Sequence, residues 1–317
     1  MTYSTGGLIQ ATDYNGFVST TVGANINATL NTTYGQTALS TVAAGGTVTA
    51  TQWSTLNVNI STMASHQGTS ITSRTNPVAG NVIAVLANVN ADITTCYTNR
   101  FNAATQGSQY TAWTGTASKT TGTGSGTSAW TITFTNTVTF ANTTAASNFF
   151  NSGGLIKIQS SKTSTGTAQD TAWNAFVGNV CGTIYLSSTA ASKTLSGNTY
   201  TGTTKVGGSG TPTTLATGTG FAQLTSSPVT IYKQFDTGAP YSSNFVQINA
   251  SVSGAVLTLT SVWYDNGDIN GAAISGGTAT TGITFGTAPT TVVTYFPPET
   301  TYLANVWGTP TVVSSVV

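Results

Sequence analysis

Residues 244–264 read NFVQINASVSGAVLTLTSVWY and contain two runs in which apolar side chains alternate with hydroxyl or amide side chains. Alternation with a period of two is typical of a β-strand that has one buried face. The step Ser253-Gly254 separates the two runs, at 244–252 and 255–264, and glycine at such a step favours a tight turn. This stretch therefore predicts an antiparallel β-hairpin.

The same alternation recurs on both sides of the hairpin, from Tyr110 onward. We expect further strands, the last of them ended by Pro297-Pro298, at 129–134, 155–158, 182–186, 283–285 and 292–296. Short helices are expected between them at 141–150 and 170–180. Many short strands joined by turns rich in Gly, Thr and Ser indicate a mainly antiparallel, sandwich-like β domain.

The first part of the chain has a helical pattern instead. Four apolar residues that follow a capping-box pattern at 49–52 have helical spacing: Trp53, Leu56, Ile60 and Met63. A second helical pattern runs from Val82 to Arg100 and follows Asn76-Pro77, a favourable helix start. The sequence thus predicts an α+β fold, with a small helical anchoring or assembly region at 1–105 and a β-rich domain at 106–317.

Two segments of the helical region resemble each other. Residues 9–17 (IQATDYNGF) align with residues 48–56 (VTATQWSTL), and each has an Ala-Thr pair followed by an aromatic residue. They predict two similar helix starts, and the alternative is chance similarity in a sequence rich in Ala and Thr.

The apolar residues of the two segments form a candidate assembly interface: Tyr14, Phe17, Trp53 and Leu56. Short helices are marginal without a partner surface, and interface cores favour Trp and Tyr. The alternative is that these four side chains pack only within their own core.

Composition limits the classes of partner. Charged residues make up 5% of the chain and the net charge is +1, where about 25% charged residues is typical. A net charge near zero favours association. The basic residues are scattered, so we expect no nucleic-acid partner, and no apolar run approaches the ~20 residues that membrane insertion needs. The opening residues show no secretory-signal pattern.

Groups that carry catalysis are scarce in this sequence. There is one histidine, His66, and seven acidic residues are scattered along the chain. The cysteines Cys96 and Cys181 lie far apart, and we expect both to be buried, reduced thiols. Because no motif for nucleophilic catalysis, phosphate binding or zinc binding is present, we predict that the protein is not an enzyme and has no cofactor.

Two weaker signals remain. Asn266, Asp268 and Asn270 resemble the start of a calcium loop, but Gly277 stands where the bidentate Glu is expected, so a plain loop is the default interpretation. Among the tryptophans, which could form a sugar-binding platform, Trp307 is the one we expect to be exposed.

Several segments resemble virion structural and fibre-like tail proteins of tailed bacteriophages, especially phages of cyanobacteria. The segments that carry this resemblance are 34–39 (YGQTAL), 48–56, 66–69 (HQGT), 130–134 (WTITF), 149–156 (FFNSGGLI), 170–173 (DTAW), 257–260 (LTLT) and 263–265 (WYD). The resemblance implies a structural component of the virion, and it implies no active site.

From the resemblance and the composition together, we expect a tail appendage, fibre or baseplate protein. Head decoration or neck protein is the alternative, followed by a cell-surface-layer protein or adhesin. The expected partners are further copies of the chain, other virion proteins and host surface glycans. The expected location is the virion, after synthesis in the host cytoplasm and release by lysis.

Overall fold

The predicted α+β fold is confirmed. A computed structural model describes residues 10–19, 24–78, 86–116, 130–164, 168–238, 241–265 and 289–316. Helices dominate its first part, and antiparallel sheets dominate the rest. The helices are α1 (Ala11–Val18), α2 (Ile26–Leu30), α3 (Ala50–Gln67), α4 (Leu86–Thr98), α5 (Thr143–Asn151) and α6 (Ala168–Ala175), which continues as a π-helical segment, Phe176–Cys181.

Within the described residues, the strands form two large sheets and one small one. Their bounds are β1 (Tyr110–Thr116), β2 (Trp130–Thr139), β3 (Leu155–Ser161), β4 (Thr183–Leu186), β5 (Lys193–Leu195), β6 (Asn198–Tyr200), β7 (Thr203–Val206), β8 (Thr214–Leu215), β9 (Val229–Phe235), β10 (Phe245–Ser253), β11 (Val256–Asp265), β12 (Thr290–Phe296) and β13 (Thr311–Val316). The five-stranded sheet has the order β1-β12-β3-β4-β7, the six-stranded sheet β13-β2-β11-β10-β9-β8, and β5 pairs with β6. Buried side chains of both large sheets belong to one hydrophobic cluster.

The predicted hairpin is β10 and β11. These strands pair antiparallel over their full length, from Phe245 with Tyr264 to Ser253 with Val256. The two-residue turn begins one position later than the sequence suggested, at Gly254, whose φ is +59°. A positive φ at the first turn position favours glycine because a side chain there is strained.

Helix α3 begins as its sequence predicts. The Thr49 amide donates to Oε1 of Gln52 at 2.8 Å, and the Gln52 amide donates to Oγ1 of Thr49 at 3.2 Å. These reciprocal bonds satisfy two amides that the helix itself leaves free. The helix ends at Gly68, which has φ +67°.

The two similar helix starts are also present. Helix α1 begins at Ala11 and α3 at Ala50, which are equivalent positions of the two segments. The residue before each alanine is the helix cap, which is Gln10 in the first segment and Thr49 in the second. The Gln10 amide donates a hydrogen bond to Oδ2 of Asp13 at 3.0 Å.

Other predicted elements match in part. The short helices expected at 141–150 and 170–180 are α5 and α6, and β12 ends at Phe296, directly before the two prolines. The strand expected at 283–285 and the first residues of the second predicted helix lie outside the described residues.

The helical region and the β region share a core. Buried side chains of α1, α3 and α4 belong to the same hydrophobic cluster as those of the large sheets. Gln36 donates through Nε2 to the Ala304 carbonyl at 3.1 Å and accepts from the Ala304 amide at 2.9 Å. The Ala103 amide donates to the Thr194 carbonyl at 2.9 Å. The domain boundary at 105/106 stays a prediction.

Candidate functional site

The four residues of the candidate assembly interface lie inside the protein. Tyr14, Phe17, Trp53 and Leu56 are all buried. The Trp53 ring has edge contacts with the Tyr14 and Phe17 rings, with centroids 5.7 and 5.8 Å away. They therefore offer no surface to a partner in the isolated chain, and a contact made by this region has to use its outer face.

The residues of the candidate calcium loop, Asn266, Asp268 and Asn270, lie outside the described residues. Their described neighbour Asp265 is fully buried at the end of β11. Its Oδ2 accepts hydrogen bonds from Nε1 of Trp173 at 2.8 Å and Nδ2 of Asn244 at 3.0 Å. In the part of the chain that the structure describes, no three His, Cys, Asp or Glu side chains are grouped as a metal site requires.

The single histidine is an interior group. His66 lies in the last turn of α3, is buried, and packs edge-on against the Tyr34 ring at 5.2 Å between centroids. Burial lowers the pKa of His66 to about 4, against the opposing effects of a backbone hydrogen bond with Ser152 and the charge of Glu299. The imidazole is therefore neutral at pH 7.

Both cysteines are buried and free, as the sequence predicts. Burial raises the pKa of each thiol to about 12. Since the thiolate is the reactive form, Cys96 and Cys181 act as small apolar side chains.

A buried lysine and a serine lie together in the β region. Nζ of Lys193 donates to Oγ of Ser187 at 3.0 Å and to the Thr189 carbonyl at 2.6 Å. Burial lowers the pKa of Lys193 to about 8. A lysine of lowered pKa beside a serine resembles an activated nucleophile. However, both side chains are buried, and Oγ of Ser187 donates a hydrogen bond to the Gly202 carbonyl at 2.9 Å. The pair therefore stabilises the interior of the β region.

A cavity lies where β1 begins and β12 ends; we call it the Tyr110 cleft. Its volume is about 520 Å³, and its lining includes Gln106, Ser108, Tyr110, Tyr295, Glu299 and Asn305. The Tyr110 ring stacks on the Tyr295 ring, with centroids 5.4 Å apart and an interplanar angle of 15°. Tyr110 is 52% exposed, whereas Tyr295 is buried. The buried Tyr295 ring therefore supports the Tyr110 ring, which has one face exposed to solvent.

Glu299 is the charged residue of the cleft lining. Its carboxylate accepts hydrogen bonds from the Thr301 amide at 2.7 Å and from Oγ1 of Thr301 at 2.5 Å. These bonds hold the carboxylate in place. The cleft lining thus combines this carboxylate with the exposed Tyr110 ring.

The expectation for Trp307 is wrong. Its side chain is 2% exposed and belongs to the core. The Gly308 amide donates to Oδ1 of Asn305 at 2.8 Å, and Gly308 has φ +68°. This tight turn holds the segment around Trp307 against the core. The exposed aromatic residue of the cleft is Tyr110, which the sequence did not single out.

Among the described residues, none of the helices has the length and apolar character needed to cross a membrane. Comparison with protein-family models, curated proteins and solved structures finds no match for this chain.

Proposed function

We propose that the protein is a structural component of a tailed-phage virion, a tail appendage, fibre or baseplate protein that acts by self-assembly and surface contacts. The observation that carries this proposal is the edge strand β13. It forms one border of the six-stranded sheet, where it lies close to β1 of the other large sheet, and its sequence, TVVSSV, contains no charge and no proline.

Edge strands of soluble monomers are usually protected from pairing by lysine, proline or a β-bulge. Strand β13 pairs with β2 without a register shift, and Val313 at its centre is 66% exposed. Because the chain has a net charge of +1, repulsion between copies is weak as well. These features suit a subunit that is covered by neighbours in an assembly.

Mass spectrometry of purified particles tests the location. Peptides of this chain at a few to a few dozen copies per particle would support the tail. Hundreds of copies per particle would favour the alternative, a head decoration or neck protein. Absence of the chain from particles would overturn the virion proposal in favour of a surface-layer protein or adhesin.

The edge itself is tested by Val313→Lys, with Thr94→Lys on the exposed side of α4 as the matched control. We expect Val313→Lys to lower the assembled fraction in sedimentation velocity while the melting temperature is unchanged. Equal assembly of the two variants would remove the support that β13 gives.

A second candidate function is contact with saccharides through the Tyr110 cleft. An exposed aromatic face with hydroxyl, amide and carboxylate groups around it fits the apolar face and hydroxyl edge of a sugar ring. Affinity electrophoresis in gels containing host polysaccharide tests this function. Retardation that Tyr110→Ala abolishes and Tyr302→Ala keeps would support it, and equal mobility with and without polysaccharide would exclude it for that glycan.

A further inference from the structure

We propose that the Tyr110 cleft binds an amino sugar, with one sugar ring on the Tyr110 face and the protonated amine of the adjoining sugar residue at Glu299. This inference rests on the second candidate function, contact with saccharides, and names the class of saccharide. The volume of the cleft, about 520 Å³, lies within the ~300–1,000 Å³ that is usual for small-molecule sites. A small molecule therefore fills it better than a single side chain of a partner protein does.

Glu299 gives the cleft its charge. It is the one charged side chain among the described residues of the lining, and it is partly exposed. No described lysine or arginine forms an ion pair with it. The hydrogen bonds from Thr301 hold the carboxylate in place without neutralising it. A cation that enters the cleft is therefore attracted, whereas an acidic sugar is repelled.

A protonated amine suits this carboxylate better than a metal ion does. Calcium and magnesium need several oxygen ligands, and the described residues contain no group of three His, Cys, Asp or Glu side chains that could hold a metal ion. One carboxylate is enough for an ammonium group, because the two form charge-assisted hydrogen bonds.

The pairing of two segments of the lining sets the length of the ligand. The segments run antiparallel, with Tyr110 opposite Tyr295 and Gln106 opposite Pro298. Glu299 follows Tyr295 by four positions, which separates its backbone from that of Tyr110 by on the order of 13 Å. One small cation cannot contact both groups. Two linked sugar rings can, with one ring stacked on Tyr110 and the amine of the next at Glu299.

Two amide side chains of the lining supply partners for sugar hydroxyls. Nε2 of Gln106 donates to the Gly153 carbonyl at 2.8 Å, and Oδ1 of Asn305 accepts from the Gly308 amide at 2.8 Å. These bonds orient both side chains and leave one acceptor, Oε1 of Gln106, and one donor, Nδ2 of Asn305. A sugar hydroxyl both donates and accepts, so it is able to bond to either atom.

Two matched ligands test the role of the charge. The glucosamine disaccharide of chitosan and its fully N-acetylated form have the same rings, but only the first has protonated amines at mildly acidic pH. We expect isothermal titration calorimetry with the full chain to show about tenfold tighter binding of the glucosamine disaccharide, and added salt to reduce this preference. Equal binding of the two forms would overturn the inference and leave saccharide contact standing. Binding of neither at the highest soluble protein concentration would overturn both.

A third ligand separates the sugar from its amine. Diaminopentane has two ammonium groups and no ring, so it lacks the contact with the Tyr110 face. We expect its binding to be weaker than that of the glucosamine disaccharide. Equal affinity would show that the cleft selects an amine alone, and would overturn the assignment to an amino sugar.

The variant Glu299→Gln removes the charge and keeps a carbonyl oxygen for the Thr301 donors. We expect its affinity for the glucosamine disaccharide to fall about tenfold, while binding of the N-acetylated form and the melting temperature are unchanged. Asp236→Asn, which removes a negative charge outside the cleft lining, is the matched control and should bind both ligands as the wild type does. An equal loss for both ligands in Glu299→Gln, or a loss for neither, would overturn the role of its charge.

Discussion

The indole nitrogen of Trp173 donates a hydrogen bond of 2.8 Å to Oδ2 of Asp265, the last residue of β11. The Trp173 ring also stacks on Trp263 of the same strand, with centroids 5.3 Å apart. Helix α6 is thereby fixed to the end of the central hairpin by one polar and one aromatic contact. A fully buried carboxylate is tolerated only where such donors face it, and these contacts give Asp265 a structural role.

We therefore expect Asp265→Ala to lower the free energy of unfolding by about 3 kcal/mol, because buried donors lose a charged acceptor. Urea denaturation followed by tryptophan fluorescence measures this loss. Asp265→Asn keeps a carbonyl oxygen and should lose roughly half as much. Equal stability of Asp265→Ala and the wild type would contradict the structural role.

The central hairpin was predictable because its pattern is local. Alternating side chains and a glycine at the turn lie within one continuous stretch of sequence. The spacing of Thr49 and Gln52 likewise predicts the start of α3. The pattern also showed that Trp53 and Leu56 share one face of the helix. It did not show what covers that face, since a core and an interface require the same side chains.

The Tyr110 cleft was not predictable in the same way. It depends on the pairing of β1 with β12, which brings Tyr110 opposite Tyr295. These residues are far apart in sequence, and nothing in the composition of either strand specifies the other as its neighbour. Similarly, the turn at Gly308 decides the burial of Trp307, although the residues around Trp307 look like an exposed loop.

The neutral state of His66 makes stability depend on pH. The pKa of His66 is lowered to about 4 in the folded protein, and an unfolded histidine has a pKa of about 6.5. Between these values the unfolded chain binds the proton, so stability is full above pH ~6.5 and falls as the pH drops toward ~4.

Replacing His66 by Phe keeps an aromatic ring against Tyr34 and removes the titrating group. We expect the melting temperature of the wild type to fall more steeply than that of His66→Phe between pH ~6.5 and ~4. The full difference corresponds to up to about 3 kcal/mol. Scanning calorimetry across this range measures it, and parallel curves for the two proteins would show that His66 is accessible to protons in the folded state.

Truncation of Trp53 tests its internal role. Because the ring is enclosed by Tyr14 and Phe17, Trp53→Ala should lower the free energy of unfolding by about 3–5 kcal/mol. Val58→Ala, on the exposed side of the same helix, should change it by no more than ~0.5 kcal/mol. Thermal melting and particle incorporation are measured together. An unchanged melt with lost incorporation would assign Trp53 to an interface instead.

The contact between Gly35 and Asn148 joins the helical region to α5. Gly35 has φ +69°, and a Cβ at this position would collide with the buried amide group of Asn148. A side chain here therefore meets both backbone strain and a steric clash across the shared core.

Gly45 provides the matched control for this contact, since it has φ +77° and a Cβ at this position would meet no atom within 4 Å. Gly45→Ala should lose about 1–2 kcal/mol from the left-handed backbone alone, and Gly35→Ala should lose more, because Asn148 must move. Urea unfolding is followed by circular dichroism for the helices and by tryptophan fluorescence for the core. We expect both signals to shift together for Gly35→Ala, since one core unfolds as a unit. Separate transitions would instead establish two independently folding domains, divided near residue 105 as the sequence predicts.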